Sequence, residues 1–175
     1  MLIILTGPSG SGKTTAERIL ERQYGFSRII SHTTRPPRPG EVNGADYYFV
    51  TEEEFLSLEM AEKTVYNGHR YGTTWQELLS KTRKPCVVVA EPKGARVLRN
   101  LVSPSIMIKL TAPAAVRLRR MLQAGRKDAL ERVKMDEEIF SIEAEYTIDT
   151  SSSSPEEVAW RIYKIFQERS REYAS

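Results

Sequence analysis

The sequence has a single cysteine, no internal repeat and no long apolar run, and each absence limits what the protein can be. Cys86 cannot form a disulfide within the chain, and the first apolar segment begins at Met1 without a basic leader, so we expect a protein of the reducing cytoplasm. The longest apolar runs, Leu2 to Leu5 and Cys86 to Ala90, are strand-sized and far shorter than the roughly 20 residues of a membrane span. We therefore expect no membrane partner.

Length and charge indicate one globular domain. The chain has 175 residues, of which 28% are charged and 40% hydrophobic, and these values fit a single α/β domain with a buried sheet. The formal net charge is +3, a small excess for which phosphate ligands would account. We therefore expect no nucleic-acid partner.

Strand-like segments alternate with helix-like segments along most of the chain, at 1–5, 28–31, 85–90, 106–110 and 146–148. This alternation predicts a three-layer α/β fold with a parallel five-stranded sheet. It breaks between Ser31 and Thr73, where short aromatic strands and turns predict a small inserted subdomain, and between Leu118 and Glu138, which has no strand signal and predicts a helical lid. A final helix is predicted from Pro155 to about Tyr173.

An uninterrupted G-x-x-x-x-G-K-[ST] motif directly follows the first apolar segment and precedes a helix-forming stretch. Its residues are Gly7, Pro8, Ser9, Gly10, Ser11, Gly12, Lys13 and Thr14, followed by Thr15. The backbone N–H groups of such a loop surround phosphate oxygens at a helix N-terminus, while the lysine reaches the β- and γ-phosphates. The hydroxyl of Thr14 is expected to bind the Mg²⁺ that bridges those phosphates. The motif therefore predicts binding of ATP or GTP, and an unliganded Gly/Ser-rich turn is the alternative.

A second phosphate site is indicated by the segment SHTTRPPRPGEVNGADY at 31–47. Arg35 and Arg38 are separated by prolines that restrict the backbone, which suits them to clamp a phosphate monoester, and Tyr47 can add a hydroxyl donor. Further along, the carboxylate of Glu62 has the chemistry to accept from the N1–H and exocyclic amine of guanine, and Thr73 lies near a tight turn. Taken alone, the two arginines are equally well interpreted as solvated residues of a surface loop, and an isolated Glu62 is more typical of a solvent-facing helix.

In this order, the blocks GPSGSGKTT, SHTTRPPRPGEVNGADYYFV and GHRYGTT resemble the guanylate kinase family. The resemblance covers almost the whole chain and is strongest up to Thr73. It implies ATP-dependent phosphorylation of GMP, and of dGMP, with Mg²⁺. The parts that it implies are a core (1–31, 74–116 and 139–175), a subdomain that binds the nucleoside monophosphate (32–73) and a lid (about 117–138).

The resemblance also implies roles for individual side chains. Glu62 and Thr73 match the pair that reads guanine. The residues that match the GMP phosphate site are Ser31, Arg35, Arg38, Tyr47 and Tyr71, with Glu41 placed among them. Glu91 matches an Asp that contacts the acceptor or the water shell of the metal. The implied catalytic set is Lys13, Arg35, Arg38, Arg126 and Arg132.

Some positions depart from the family pattern. Glu91 is one methylene longer than the family's Asp, the lid lacks an acidic-threonine stretch, and Asp149 stands where the family commonly has Asn near adenine. Arg119 and Arg120 could either contact phosphate from the lid or lie on a solvated helix face. Two other functions also stay open, a kinase with relaxed or different acceptor specificity and a non-catalytic interaction module. The oligomeric state, monomer or homodimer, is not predicted.

Overall fold

The computed structural model describes residues 1–139 and 141–174. Its strands are β1 (Leu2–Thr6), β2 (Ser27–Arg28), β3 (His32–Thr33), β4 (Tyr48–Phe49), β5 (Met60–Tyr66), β6 (His69–Thr74), β7 (Cys86–Val89), β8 (Ser105–Thr111) and β9 (Tyr146–Asp149). Its helices are α1 (Lys13–Tyr24), α2 (Glu52–Ser57), α3 (Trp75–Lys81), α4 (Pro92–Leu101), α5 (Ala114–Gln123), α6 (Ala129–Ile139) and α7 (Pro155–Ala174). No helix within these ranges is both long and apolar enough to cross a membrane.

The central sheet has five parallel strands in the order β2-β7-β1-β8-β9. Alternate side chains of β1 face opposite sides: Ile3 and Leu5 pack with residues of α1 and α7, whereas Leu2 and Ile4 pack with residues of α3 and α4. Helices therefore cover both faces, which explains why the inner strands are almost wholly apolar. The predicted three-layer α/β fold is confirmed, and Cys86 is a buried free thiol within it.

Four of the five predicted strands match observed ones to within one residue at each end. The fifth, predicted at 28–31, is wrong in extent, because β2 contains only Ser27–Arg28. Ile29 and Ile30 are still buried, but the chain there turns away from the central sheet, and β3 pairs with β6 instead. These two residues are therefore buried without belonging to a strand, and their burial explains why the sequence is apolar there.

A second, mixed sheet of four strands in the order β4-β3-β6-β5 lies between β2 and α3 in the chain. Its longest pair, β5 and β6, is antiparallel and is joined at Asn67 and Gly68, whose φ angles of 49° and 74° suit a two-residue hairpin turn. Thr51 begins α2 with a reciprocal capping box to Glu54. This sheet carries the side chains that face the central sheet across the cleft described next.

Candidate active site

A cleft of about 590 Å³ lies at the carboxyl ends of the central strands, where the chain leaves β1, β2, β7 and β9. Its volume falls in the range of small-molecule sites, about 300–1,000 Å³. The basic residues on its walls are Lys13, Arg18, Arg28, Arg35, Arg38, Arg120, Arg126 and Arg132, and the acidic ones are Glu17, Glu41, Asp46 and Glu91. Eight cationic side chains against four acidic ones fit a polyanionic ligand.

Most of the predicted site residues meet in this cleft. Those on its walls are Ser9, Gly10, Ser11, Gly12, Lys13, Thr14, Thr15, Ser31, Arg35, Arg38, Glu41, Tyr47, Tyr71, Glu91, Arg126 and Arg132. Glu62 lines a small neighbouring pocket that shares Ser31, Tyr47, Tyr71 and Glu91 with the cleft. Gly7 and Pro8 are buried at the start of the loop. Thr73 is fully buried behind Glu62.

The segment from Gly7 to Thr14, called the phosphate loop below, enters α1 through Gly12. The φ angle of Gly12 is 95°, which lies in the left-handed region. Lys13 Nζ donates to the carbonyl oxygens of Gly7 at 2.5 Å and Pro8 at 3.0 Å, so its ammonium group lies over the loop. Burial lowers the pKa of Lys13, although Glu91 and Asp136 partly oppose the shift. The hydroxyl-bearing Thr14 and Thr15 lie exposed on the first turn of α1.

The two arginines of the predicted clamp are held by one carboxylate. Glu41 accepts a bidentate pair of hydrogen bonds from Arg35, both at 2.9 Å, and a bond from the backbone N–H of Arg38 at 2.7 Å. Burial alone would raise the pKa of Glu41, but the hydrogen bonds from Arg35 and Arg38 outweigh it and hold that pKa below its ordinary value. The Arg35 guanidinium also lies 5.5 Å from the Tyr47 ring centroid. Arg35 is therefore fixed in place, as bidentate pairing favours.

Glu62 and Thr73 are directly paired between β5 and β6. Thr73 Oγ1 donates to Glu62 Oε1 at 2.9 Å, and Ser31 Oγ lies 3.3 Å from Thr73 Oγ1. Only 6% of Glu62 is exposed, and burial raises its pKa to about 7 against the opposing effect of the Thr73 hydrogen bonds. The three polar side chains form a connected buried group, not a solvent-facing one.

Glu91 lies between β7 and α4, at the N-cap position of that helix. Its Oε2 atom is buried and has no hydrogen-bond partner among residues 1–139 and 141–174. Burial raises the pKa of Glu91 to about 6, and the nearby Lys13 opposes that shift. A buried carboxylate oxygen facing a lysine without a hydrogen bond is a site at which a ligand or cation would be stabilised.

The two arginines predicted to belong to a lid differ in their surroundings. Arg132 is buried, donates to Asp128 and to Ser9 Oγ at 3.2 Å, and lies over the Tyr66 ring. Arg126 is half-buried in the cleft wall, where burial lowers its pKa. Arg132 therefore contacts the phosphate loop, whereas Arg126 only lines the same cleft.

The sequence did not decide whether Arg119 and Arg120 contact the site or face solvent, and the structure shows that the two residues differ. Arg119 is exposed, in keeping with a solvated helix face. Arg120 donates to the Thr150 carbonyl at 2.7 Å and to the Gly10 carbonyl at 3.3 Å, so it packs against the loop. Arg120 therefore braces the phosphate loop from α5.

Sequence reasoning missed Asp136. This residue of α6 has no exposed surface, and its Oδ2 accepts from the backbone N–H of Ser9 at 2.7 Å. Tyr66 donates its hydroxyl proton to Oδ1, and Arg117 Nη1 lies 3.6 Å from Oδ2. Asp136 thus joins α6 to the phosphate loop and to β5, and the only local signal was an acid four residues after Arg132.

Known proteins with a similar sequence and fold belong to one family. A family profile described as guanylate kinase matches residues 1–167. The chain is similar to the guanylate kinase of Chlamydia felis, at 35% identity over 84% of this chain and 78% of that protein. It is also similar to that of Lactococcus lactis subsp. lactis, at 33% identity over 95% and 87%. The crystal structure of guanylate kinase from Anaplasma phagocytophilum superposes with a TM-score of 0.70 at 29% identity, covering 97% of this chain and 85% of that one.

Proposed function

Because this chain belongs to the guanylate kinase family, we propose that it transfers the γ-phosphoryl group of ATP to GMP, giving ADP and GDP. One observation carries the proposal. The phosphate loop, the Arg35 and Arg38 pair and the pocket of Glu62 open onto adjoining parts of one basic cleft. A donor polyphosphate, an acceptor monophosphate and a guanine base each have a matching set of groups.

We assign the donor to the phosphate loop. The loop leads directly into α1, and backbone N–H groups at a helix N-terminus attract phosphate, to which the helix dipole adds. Lys13 lies over the loop and is placed to follow the charge of the transferring group. Asp136 now accepts from the N–H of Ser9, so a bound phosphate and this carboxylate compete for one donor.

Magnesium fits the oxygen donors on this side of the cleft. The Thr14 hydroxyl is exposed on the first turn of α1, and Glu91 Oε2 is buried and accepts no hydrogen bond from the part of the chain that the structure describes. Hard oxygen donors of this kind suit Mg²⁺, which retains several waters and binds through a few protein ligands plus phosphates. When bound, the ion would neutralise charge on the β- and γ-phosphates.

We assign the acceptor phosphate to Arg35 and Arg38, with Tyr47, Tyr71 and Ser31 around it. Glu41, predicted among the GMP-binding residues, has both carboxylate oxygens directed at the two arginines. A carboxylate repels a phosphate, so we propose that Glu41 orients the arginines and does not itself bind GMP. The bidentate geometry that holds Arg35 keeps the clamp in shape before GMP arrives.

We assign guanine recognition to Glu62, supported by Thr73. An ionised Glu62 accepts from the N1–H and the 2-amino group of guanine, whereas adenine offers no such pair of donors. Because Glu62 is almost wholly buried, a base without those donors would leave a buried carboxylate unpaired, and such losses discriminate strongly between ligands. dGMP has the same base and is expected to be a substrate.

The chemistry consists of positioning and neutralising charge. GMP supplies an anionic oxygen, so no covalent intermediate is needed, and the cations of the cleft bring two mutually repelling anions into line. We propose that Arg126 and Arg132 cover the transferring group from a lid at about 117–138, while 32–73 closes as the subdomain that binds GMP. Closure would exclude water, with which ATP hydrolysis would compete.

The deciding experiment is a coupled assay of ADP release with each common nucleoside monophosphate as acceptor. The proposal requires GMP to be strongly preferred over AMP, CMP and UMP, with IMP intermediate. Comparable rates with several bases would favour a kinase of relaxed specificity. No turnover with any acceptor, despite ATP binding, would favour a non-catalytic interaction module. The reaction would belong to purine nucleotide metabolism, and the single free cysteine, Cys86, supports a reducing compartment such as the cytoplasm.

A further inference from the structure

Gly94, in the first turn of α4, lies directly against the carboxylate of Glu62. A Cβ atom built on Gly94 would lie 3.0 Å from Glu62 Cδ, closer still to Oε2, and 3.6 Å from Oε1. Any residue other than glycine at this position would therefore displace the Glu62 side chain or the helix. The contact joins a core helix to the strand that carries the guanine-binding carboxylate.

The other sides of the Glu62 carboxylate are also occupied. Thr73 Oγ1 donates to Oε1, and the pairing of β5 with β6 is irregular between Met60 and Glu62, which sets the direction of the side chain. Gly72 is equally tight, since a Cβ there would lie 2.6 Å from the Glu62 backbone carbonyl oxygen. A methyl group on α4 would therefore push the carboxylate away from that helix and change its position in the pocket that it lines with Ser31.

Backbone conformation does not explain a glycine at 94. Eight of the ten glycines have positive φ angles, and only Gly72 and Gly94 do not. Glycine inside a helix is less favourable than alanine, because glycine has more conformational freedom in the unfolded chain and loses more of it on folding. Glycine is therefore required at position 94 because there is no room for a side chain. The Glu62 carboxylate occupies the space that a side chain would need.

We infer that Gly94 is a positioning residue for base specificity: its lack of a side chain sets the depth at which Glu62 meets guanine. This inference rests on the proposed function. An added methyl group would move the carboxylate toward the base, so that its two oxygens no longer match the N1–H and 2-amino donors together. Guanine would lose its advantage over hypoxanthine, which lacks the 2-amino group, while the donor site would be unaffected.

The test compares Gly94→Ala with Lys93→Ala, an exposed neighbour on the same turn that serves as the matched control. KM and kcat are measured for GMP and IMP, together with KM for ATP and the melting temperature. We expect Gly94→Ala to raise KM for GMP about tenfold or more and to reduce the GMP to IMP preference, because a mispositioned acceptor leaves ligand donors unpaired. KM for ATP should stay within about twofold. Lys93→Ala should change neither the KM for GMP nor the GMP to IMP preference.

A double-mutant cycle with Glu62→Asp separates crowding from general damage. Aspartate is one methylene shorter, so it removes the atoms that the new methyl group would meet. In the Glu62→Asp background, Gly94→Ala should change KM for GMP by less than about twofold, since the two substitutions act on one contact. Recovery of folding in the double variant, should Gly94→Ala alone unfold, would support the same contact.

Two results would overturn the inference: an unchanged GMP to IMP preference in Gly94→Ala, or an equal effect of Gly94→Ala in both backgrounds. The unsubstituted protein provides the separate test of the proposed function. If it does not phosphorylate GMP, the proposed function fails. If it does, and Gly94→Ala behaves like Lys93→Ala, only the role of Gly94 fails.

Discussion

Replacing Asp136 by Asn should lower the stability of the protein and at the same time tighten its binding of ATP. Asp136 is fully buried and accepts from Ser9 N–H and the Tyr66 hydroxyl, with Arg117 at 3.6 Å. Asn keeps the shape and one acceptor oxygen but removes the charge. Hydrogen bonds to charged groups contribute about 1.5–3 kcal/mol, so we expect a loss of about 2 kcal/mol in the free energy of unfolding. For a chain of this length, that loss lowers the melting temperature by about 4–8 °C.

The effect on ATP has the opposite sign. A carboxylate on the N–H of Ser9 repels a phosphate that approaches the same loop, and two unit charges 4 Å apart interact by about 4 kcal/mol at an effective dielectric constant of 20. Removing even a quarter of that repulsion, about 1 kcal/mol, would tighten ATP binding about fivefold. The assays are thermal unfolding and calorimetric titration with a non-hydrolysable ATP analogue.

Glu145→Gln is the matched control, because it removes a carboxylate that likewise accepts from a backbone N–H, that of Met107, and from an arginine, Arg99, but that does not line the cleft. It should leave the affinity for the analogue within about twofold. The reasoning is refuted if Asp136→Asn weakens binding of the analogue in step with stability. Asp136 would then shape the loop for ATP and would not compete with it.

The other predictions concern the donor, the clamp and the base. Lys13→Ala should lower kcat by about 10³-fold or more without a comparable loss of stability, because a charge on the transferring group is lost; near-normal turnover in the coupled assay would contradict this role. Arg38→Ala should raise KM for GMP about tenfold or more and slow turnover while KM for ATP stays nearly constant, and unchanged GMP kinetics would return Arg38 to the solvated surface. Glu62→Gln should weaken GMP by about 1–3 kcal/mol and weaken IMP less; an unchanged GMP to IMP ratio would show that guanine is read elsewhere. Since burial raises the pKa of Glu62 to about 7, protonation should reduce the GMP to IMP affinity ratio as pH falls from about 8 to about 6, and Glu62→Gln should abolish this trend; a slope that survives the substitution belongs to another group.

The parts of the site that are contiguous in the chain were predictable from the sequence. The segment from Gly7 to Thr14 predicted both the phosphate loop and the start of α1. Its glycines, its lysine and the order of strand, loop and helix can all be read from neighbouring residues. Strand positions were predictable for the same reason, because buried parallel strands are short apolar runs. The length of β2 was not, because buried residues that leave a sheet have the same apolar pattern as residues within it.

Contacts between distant side chains carried no such signal. Asp136 and Ser9 are 127 residues apart, and nothing near either residue indicates that a carboxylate meets the loop N–H. Glu41 was placed with GMP by resemblance, whereas its oxygens contact Arg35 and Arg38. Tertiary packing decides such partnerships, and hydrophobic periodicity contains no information about which polar groups meet across a fold.

The strand β5 links two ends of the cleft mechanically. Alternation along a strand puts Glu62 and Tyr66 on one face, about 13 Å apart, and both are buried. Glu62 lines the small pocket beside the cleft, while the hydroxyl of Tyr66 is bonded to Asp136 of α6. A strand resists stretching, so a displacement of Glu62 along β5 would be carried to Tyr66 and to its hydrogen bond with Asp136 of α6. Under the proposed function, β5 would therefore couple binding of the acceptor to α6, whose Asp136 is bonded to the N–H of Ser9 in the phosphate loop.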